Sequence, residues 1–135
     1  MSAPLVPPHG EPAIRTIAMP ADTNPSGDIF GGWLMSQMDL AASNVATRTA
    51  KGRCATVAVE GMSFHSPVQV GDEVTVWADL IHTGRTSMKL EVSAWRRPRD
   101  GDHLTCVTHA IFTFVALTQH GRPRPIGNQE RPLDV

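Results

Sequence analysis

One segment of this chain repeats its apolar residues with the period of a helix, and later segments repeat them with the period of a strand. Between about Gly32 and Ala50, apolar side chains recur at steps of three and four residues, which indicates a helix with one apolar face. These residues are Leu34, Met38, Ala41 or Ala42, and Val45. Lys51 and Gly52 follow, as is typical of a helix end. A chain with a single amphipathic helix must bury the apolar face of that helix against a sheet.

The strands predicted from the sequence are one short strand and four long ones. β-branched and apolar residues, partly in alternation with polar ones, predict strands at 13–19, 54–65, 74–83, 87–94 and 104–117. Tight turns, including Gly71-Asp72, join the four long strands, so we expect these strands to be antiparallel. The predicted class is α+β, with a curved antiparallel sheet of about five strands wrapped around one long central helix. This is the hot-dog arrangement, and other folds with one helix and one sheet fit the same pattern.

The size and charge of the chain restrict its class. Its 135 residues are enough for one domain. We expect that domain at 13–118, between a flexible N-terminal arm at 1–12 and a Gly/Pro/Arg-rich C-terminal tail at 119–135. The 12 basic and 13 acidic residues give a net charge of −1, which argues against a nucleic-acid partner.

The two cysteines and the N-terminal sequence indicate where in the cell the protein is expected. Cys54 and Cys106 lie in apolar runs without the spacing of metal ligands, which is typical of free thiols in a reducing environment. The first residues lack the basic and apolar regions of a leader peptide, and no apolar run is long enough to span a bilayer. We therefore expect a cytoplasmic protein without a membrane partner.

The stretch NPSGDIFGGWLMSQMDLAAS, residues 24–43, has features that packing alone does not explain. The predicted helix opens on Gly31 and Gly32, although glycine is less favourable than alanine in a helix by about 1 kcal/mol. Asp39 then lies among apolar neighbours, where an unpaired carboxylate is costly to bury. These choices indicate that the segment has a role beyond filling a core.

Five motifs together resemble those of the hot-dog acyl-CoA thioesterases of the YciA type, over residues 15–126. The motifs are Asn24-x-x-Gly27-x-Ile29-x-Gly31-Gly32-x-Leu34 with Met38-Asp39, Thr56-Val57-Ala58-Val59-Glu60-x-Met62-x-Phe64, Pro67-Val68-x-Val70-Gly71-Asp72, Gly84-Arg85-Thr86-Ser87, and Phe112-Thr113-Phe114-Val115-Ala116. The resemblance implies an enzyme that hydrolyses acyl-CoA to a carboxylic acid and CoA, with no cofactor beyond the CoA of its substrate. The alternative is a non-catalytic acyl-CoA-binding or sensing module on the same fold.

The resemblance also implies a role for each unusual residue of this stretch. The amide of Gly32, with Gly31 beside it, is the implied oxyanion site, because N–H groups at a helix start lack intrahelical partners and carry partial positive charge. Asp39 is the implied general base or nucleophile. Asn24 is implied to orient the attacking water or the thioester carbonyl, since its amide both donates and accepts hydrogen bonds.

Each of these residues has a structural alternative. The two glycines also suit a tight entry into the helix or close packing of the helix on the sheet. Asn24 precedes a proline and is a common turn former. Asp39 also suits an ion pair with Arg48 or His65.

Further residues are predicted to contact the substrate. The predicted CoA-binding residues are Arg85, Thr86, Ser87 and Lys89, and the predicted acyl-pocket residues are Trp33, Met35, Met62 and Phe64. A basic side chain beside hydroxyl groups suits phosphate oxygens, although the same turn can be a plain hairpin with solvated charges. Another basic run at 96–99 is either a solvated turn or a contribution to the CoA groove of a neighbouring subunit.

The sequence disfavours other chemistry and the resemblance implies an assembly. The six histidines show no metal-ligand spacing, so no metal site is expected. The chain contains no Gly-x-Ser-x-Gly motif of the serine hydrolases. In the related dimers the site lies between subunits, so we expect Asn24 and Gly32 of one chain to face Asp39 of the other. A homodimer is the expected minimal active unit, within a trimer of dimers.

Overall fold

The computed structural model of the protein describes residues 3–126. Within this range the long elements are β1 (Ile14–Ile17), α1 (Gly31–Ala50), β2 (Cys54–Phe64), β3 (Glu73–Thr83), β4 (Ser87–Arg97) and β5 (Thr105–Ala116), with a 3-10 turn at Pro20–Asp22. Neighbouring strands are antiparallel throughout the five-stranded sheet. The predicted α+β class and the hot-dog arrangement are therefore confirmed. No helix within 3–126 is long and apolar enough to cross a membrane.

The strand order is β1-β3-β4-β5-β2, and this order corrects one expectation about the connections. The predicted Gly71-Asp72 turn is present, since the Asp72 amide donates to the Gln69 carbonyl at 3.1 Å. However, β2 pairs with β5 and not with β3, so 65–72 is a crossover between the two edges of the sheet. The crossover is tied to the segment before α1, where the Ile29 amide donates to the Val68 carbonyl at 3.3 Å. A short connection can either close a hairpin or cross over a helix start. The length of the connection alone therefore does not determine which strands pair.

α1 packs on one face of the sheet through a stripe of small and medium side chains. The buried helix residues are Leu34, Met38, Ala41, Ala42, Ala46 and Ala50. Because most of them are alanines, the helix backbone can lie close to the strands. The facing strand residues include Val74 and Val76 of β3, Met88, Leu90, Val92 and Ala94 of β4, and Ala110, Phe112, Phe114 and Ala116 of β5. The alternation predicted for β4 is therefore confirmed on this face.

The opposite face of the sheet carries a smaller apolar cluster formed by Trp77, Trp95 and Cys106. The two indole rings meet edge to face, with their centroids 6.4 Å apart. Part of the predicted N-terminal arm covers this cluster: Ala3 packs against it, and the Gly10 carbonyl accepts a hydrogen bond from Trp77 Nε1 at 3.1 Å. The arm therefore contacts the domain at two points, and its first two residues lie outside the described range.

The predicted C-terminal tail begins with residues that take part in the packing of the domain. Arg124 is only 2% exposed, and its guanidinium donates to the carbonyls of Leu117 and Ala50, both at 2.9 Å. Ala50 is the last residue of α1, so the cation lies at the negative end of the helix dipole. Ile126 also packs against the main core. The packing thus continues past the predicted boundary at residue 118, and 127–135 lie outside the described residues.

Arg124→Ala is expected to lower the free energy of unfolding by about 2–4 kcal/mol, because it leaves buried carbonyls without donors and removes packing. Urea denaturation at a fixed protein concentration measures this change. Arg122→Ala is the matched control, since Arg122 is exposed and its loss is expected to change stability by less than about 0.5 kcal/mol. Equal effects of the two substitutions would contradict the role given to Arg124.

Candidate active site

A short loop sets the start of α1. The Phe30 amide donates to the Asp22 carbonyl at 2.9 Å, and the Leu34 amide donates to the Phe30 carbonyl at 3.3 Å as the first intrahelical bond. The N–H groups of Gly31 and Gly32 precede that bond and point out of the helix start, where the dipole makes them partly positive. The structure thus provides the donors that an oxyanion needs.

The two glycines at this helix start have different surroundings. A Cβ atom built on Gly31 would lie 3.4 Å from the ring of Phe64, whereas a Cβ atom on Gly32 would meet nothing within 4 Å. The distance at Gly31 is an ordinary van der Waals contact, so close packing of the helix on the sheet does not require glycine at either position. Open space above Gly32 is what a carbonyl group needs to approach the backbone.

Asn24 shapes the loop and keeps part of its amide free. Its Oδ1 atom accepts hydrogen bonds from the Ser26 amide at 2.9 Å and from the Asp28 amide at 3.1 Å. The oxygen is therefore committed to the turn, in agreement with the structural alternative. The Nδ2 group has no hydrogen bond to any residue in 3–126, so it is the donor that Asn24 can offer to a substrate or to water.

Asp39 is held by a residue for which the sequence predicts no role in the site. Its Oδ1 atom accepts a hydrogen bond of 2.6 Å from the hydroxyl of Thr56 on β2. None of the ion pairs within 3–126 involves Asp39, so the alternative of a pair with Arg48 or His65 is not realised. Asp39 is partly exposed, and the next residue, Leu40, is 58% exposed. The apolar surroundings expected of Asp39 are therefore incomplete in a single protomer.

Gly32 and Asp39 are not brought together within one chain. They lie seven residues apart on the same helix, which corresponds to about 10 Å along the helix axis. One thioester carbonyl cannot contact both an amide at Gly32 and a carboxylate at that distance. A single protomer therefore carries the two halves of the predicted site at separate places.

A cavity of about 350 Å³ lies beside the helix start. Its apolar wall consists of Ile29, Phe30, Leu34, Phe64, Val68 and Val107. Of the predicted acyl-pocket residues only Phe64 lines it. Trp33 and Met35 flank Leu34 and are turned away from it by about 100° each, and Met62 lies in an irregular part of β2 between Glu60 and Ser63. Trp33, Met35 and Met62 therefore do not line this cavity of the single protomer, and their part in an acyl pocket between two chains stays a prediction.

The predicted CoA-binding turn lies at the other end of the sheet. Arg85 and Thr86 link β3 to β4, and their carbonyls accept hydrogen bonds from Ile126 at 2.8 Å and Ala116 at 2.9 Å. Ser87 opens β4 opposite the end of β5. Lys89 alternates with the buried residues of β4 and lies on the face away from α1. Within one protomer these residues are therefore remote from Gly32.

Neither cysteine has the properties of a nucleophile. Both thiols are free, and burial raises the pKa of Cys54 above its ordinary value. Burial likewise raises the pKa of Cys106 to about 11, so both thiols stay protonated near neutral pH. Within 3–126, no group of three or more His, Cys, Asp and Glu side chains is placed to hold a metal ion.

Thr56→Val removes the hydroxyl group that holds Asp39 and keeps the shape of the side chain. A hydrogen bond to a charged group contributes about 1.5–3 kcal/mol, so the turnover of the hydrolysis implied by the resemblance is expected to fall about 10- to 100-fold. Thr56→Ser keeps the hydroxyl group and should retain most of the activity. Equal kcat values for the two variants would show that this hydrogen bond does not support Asp39.

Comparison with known proteins identifies the family of the chain. The sequence profile of the thioesterase superfamily matches residues 26–102. An acyl-CoA thioester hydrolase of Zymomonas mobilis, described as uncharacterized, is 53% identical over 90% of this chain and 81% of that protein. The acyl-CoA thioester hydrolase YciA of Salmonella typhimurium is 46% identical over 88% of this chain and 92% of its own length.

A solved structure agrees with these sequence matches. It is a hexameric broad-specificity acyl-coenzyme A thioesterase in a form with one aspartate replaced by alanine. It superimposes with a TM-score of 0.84 at 44% identity, over 90% of both chains. The resemblance to the YciA type is confirmed, and the chain belongs to the thioesterase superfamily.

Proposed function

We propose that the protein hydrolyses the thioester of acyl-CoA to a free carboxylic acid and CoA. The observation that carries this proposal is the pair of chemical groups on α1: an open amide donor at Gly32, and a carboxylate at Asp39 that Thr56 holds in place. One group suits the charge that develops on a thioester oxygen, and the other suits activation of water. The acyl-CoA thioester hydrolases among the relatives support the same reaction.

The proposed reaction uses these groups in order. The thioester oxygen accepts a hydrogen bond from the Gly32 amide, and the helix dipole stabilises its negative charge as the carbonyl carbon becomes tetrahedral. The Asp39 carboxylate takes a proton from the attacking water, or attacks the carbonyl itself to form an anhydride that water then hydrolyses. The Asn24 Nδ2 group orients the carbonyl or the water. CoA leaves as a thiolate without a strong general acid, because a thiol such as that of cysteine has a pKa of about 8.5.

The active unit in this proposal is a homodimer whose two sites each use both chains. Gly32 and Asp39 of one chain are too far apart to act on the same carbonyl, so Gly32 and Asn24 of one protomer meet Asp39 of the other. Edge strand β2 and the outer side of α1 expose apolar residues suited to such an interface, and edge strands favour pairing. These residues are Met35, Leu40, Val57 and Val59. The hexameric relative supports a trimer of such dimers.

The proposal also covers the CoA-binding residues, the cofactors and the location of the enzyme. Arg85, Thr86, Ser87 and Lys89 lie far from Gly32 of their own chain, so their contacts with CoA belong to a substrate that is held by a neighbouring subunit. The reaction as proposed needs no metal and no cofactor, since CoA is part of the substrate and product. A cytoplasmic location of the enzyme is part of the same proposal.

Asp39→Asn is expected to lower the release of free thiol from acyl-CoA by at least about 100-fold, because it removes the base or nucleophile. A colorimetric thiol assay with acyl-CoAs of increasing chain length measures this release for both proteins. Equal rates for the two proteins would remove Asp39 from the mechanism. Absence of release by the native protein at every chain length would favour the non-catalytic acyl-CoA-binding module.

Mixed oligomers test whether each site uses two chains. Co-expression of an inactive Asp39→Asn chain with an inactive Gly32→Val chain is expected to restore about a quarter of the native activity, because half of the dimers are mixed and each mixed dimer keeps one intact site. The matched control mixes Asp39→Asn with Thr56→Val chains. Asp39 and Thr56 of each site come from the same chain, so every site in this mixture carries one of the two defects and no rescue is expected. Rescue in neither mixture would show that each site is built from one chain.

A further inference from the structure

The crossover at 65–72 carries a motif that the proposed reaction does not use. This motif is Pro67-Val68-x-Val70-Gly71-Asp72. Residues 65–68 line the cavity beside the start of α1, and the Val68 carbonyl accepts a hydrogen bond from the Ile29 amide at 3.3 Å. Ile29 lies just before Gly32, the proposed oxyanion donor. The position of the crossover therefore affects the position of that donor.

The carboxylate of Asp72 closes the last turn of this crossover. Asp72 is only 4% exposed, and its Oδ2 atom accepts a hydrogen bond from the Gln69 amide at 2.9 Å. The Asp72 amide donates to the Gln69 carbonyl in return, and Gly71 between them has a φ of 93°, which favours glycine. The Gly71 amide also donates to the Ala18 carbonyl at 2.8 Å. The Asp72 side chain thus fixes a turn that is bonded to the residue after β1.

Arg96 of β4 is the cation that faces this carboxylate. Its Nη1 atom donates to Asp72 Oδ2 at 2.9 Å, and both side chains are largely shielded from water. The sequence left the basic run at 96–99 as a solvated turn or as part of a CoA groove. The structure instead places Arg96 within a strand, in an ion pair with a buried carboxylate.

Stability alone is a poor explanation of this ion pair. Arg96 Nε is buried and has no hydrogen-bond partner within 3–126, and a buried N–H group without a partner lowers stability. Apolar side chains of similar volume often replace a buried ion pair without loss of stability. A pair that leaves one donor unsatisfied is better suited to holding a backbone in one position, since its charged hydrogen bonds are strong and directional.

We propose that Asp72 and Arg96 are positioning residues that set the place of the Gly32 amide. Their ion pair fixes the turn at the end of the crossover, the crossover presents the Val68 carbonyl, and that carbonyl fixes the Ile29 amide. Neither charged side chain lines the cavity beside α1, so both act on the reaction through the backbone. The effect on the reaction rests on the proposed function, whereas the effect on Ile29 does not.

Asp72→Ala is expected to lower kcat for acyl-CoA by about 10- to 100-fold and to change KM by less than about threefold, because a displaced donor loses mainly transition-state stabilisation. Asp72→Asn keeps an oxygen that can accept both hydrogen bonds, so its kcat is expected to stay within about threefold of the native value. Glu73→Ala is the matched control. It removes the neighbouring ion pairs with Arg15 and Arg97 and should keep the native kcat below the melting temperature of every variant.

Hydrogen exchange tests the position of the helix start without any hydrolysis. In Asp72→Ala the Ile29 amide is expected to exchange at least about tenfold faster than in the native protein, because the Val68 carbonyl no longer stays in place. The His65 amide at the other end of the crossover donates to the Val107 carbonyl at 2.7 Å, so it is the internal reference and should keep its rate. Mass spectrometry of peptides that cover each residue measures both rates.

Arg96→Met is a second test that does not depend on the folding of Asp72→Ala, and the same fall in kcat is expected of it. A native kcat in either folded variant, an equal loss in Glu73→Ala, or unchanged exchange at Ile29 would overturn the proposal. A rise in KM without a fall in kcat would place Arg96 in a CoA groove and would also overturn it. A native protein that hydrolyses no acyl-CoA would contradict the proposed reaction, and the exchange of Ile29 would then decide the positioning alone.

Discussion

The contact of α1 with one face of the sheet determines the rest of this structure. The buried stripe of the helix is made mostly of alanines, so the sheet can curve close to it, but it covers only that stripe. Met35 and Leu40 remain exposed on the outer side of α1, and edge strand β2 is paired on one side only, with β5. Asp39, beside Leu40, is likewise left partly exposed. In the proposed homodimer, the second chain covers these apolar residues and also completes the proposed site.

The elements of the fold could be predicted because their signals are local. A change from a helical period to a strand period is visible in a short window of sequence. The strand order could not be predicted in this way, since the pairing of β2 with β5 joins Cys54 to Ala116, far apart in the chain. The partner of Asp39 was missed for a related reason: Thr56 is an ordinary strand former, and only the placement of α1 on β2 gives it a chemical task.

For several residues the sequence left open a structural role and a catalytic role. In the structure, these two roles fall to different atoms of one residue or to adjacent residues. Gly31 lies against the ring of Phe64, while Gly32 has open space above it. In Asn24 the oxygen holds the turn and the nitrogen remains available. Trp33 and Met35 lie outside the cavity beside Phe64, and their predicted part in the acyl pocket depends on a second chain whose position the sequence does not give. One residue can thus support the fold with one atom and the proposed reaction with another.

The distribution of indole rings gives the molecule two separate optical signals. The chain contains three tryptophans and no tyrosine, so tryptophan dominates its ultraviolet absorption and emission. Trp77 and Trp95 form the edge-to-face pair that the N-terminal segment covers, and a coupled pair of this kind gives a characteristic circular dichroism band. Trp33 lies in the first turn of α1, beside the proposed oxyanion donors. Fluorescence of Trp33 can therefore follow occupancy of the helix start, while the dichroism of the pair follows the seating of the N-terminal segment.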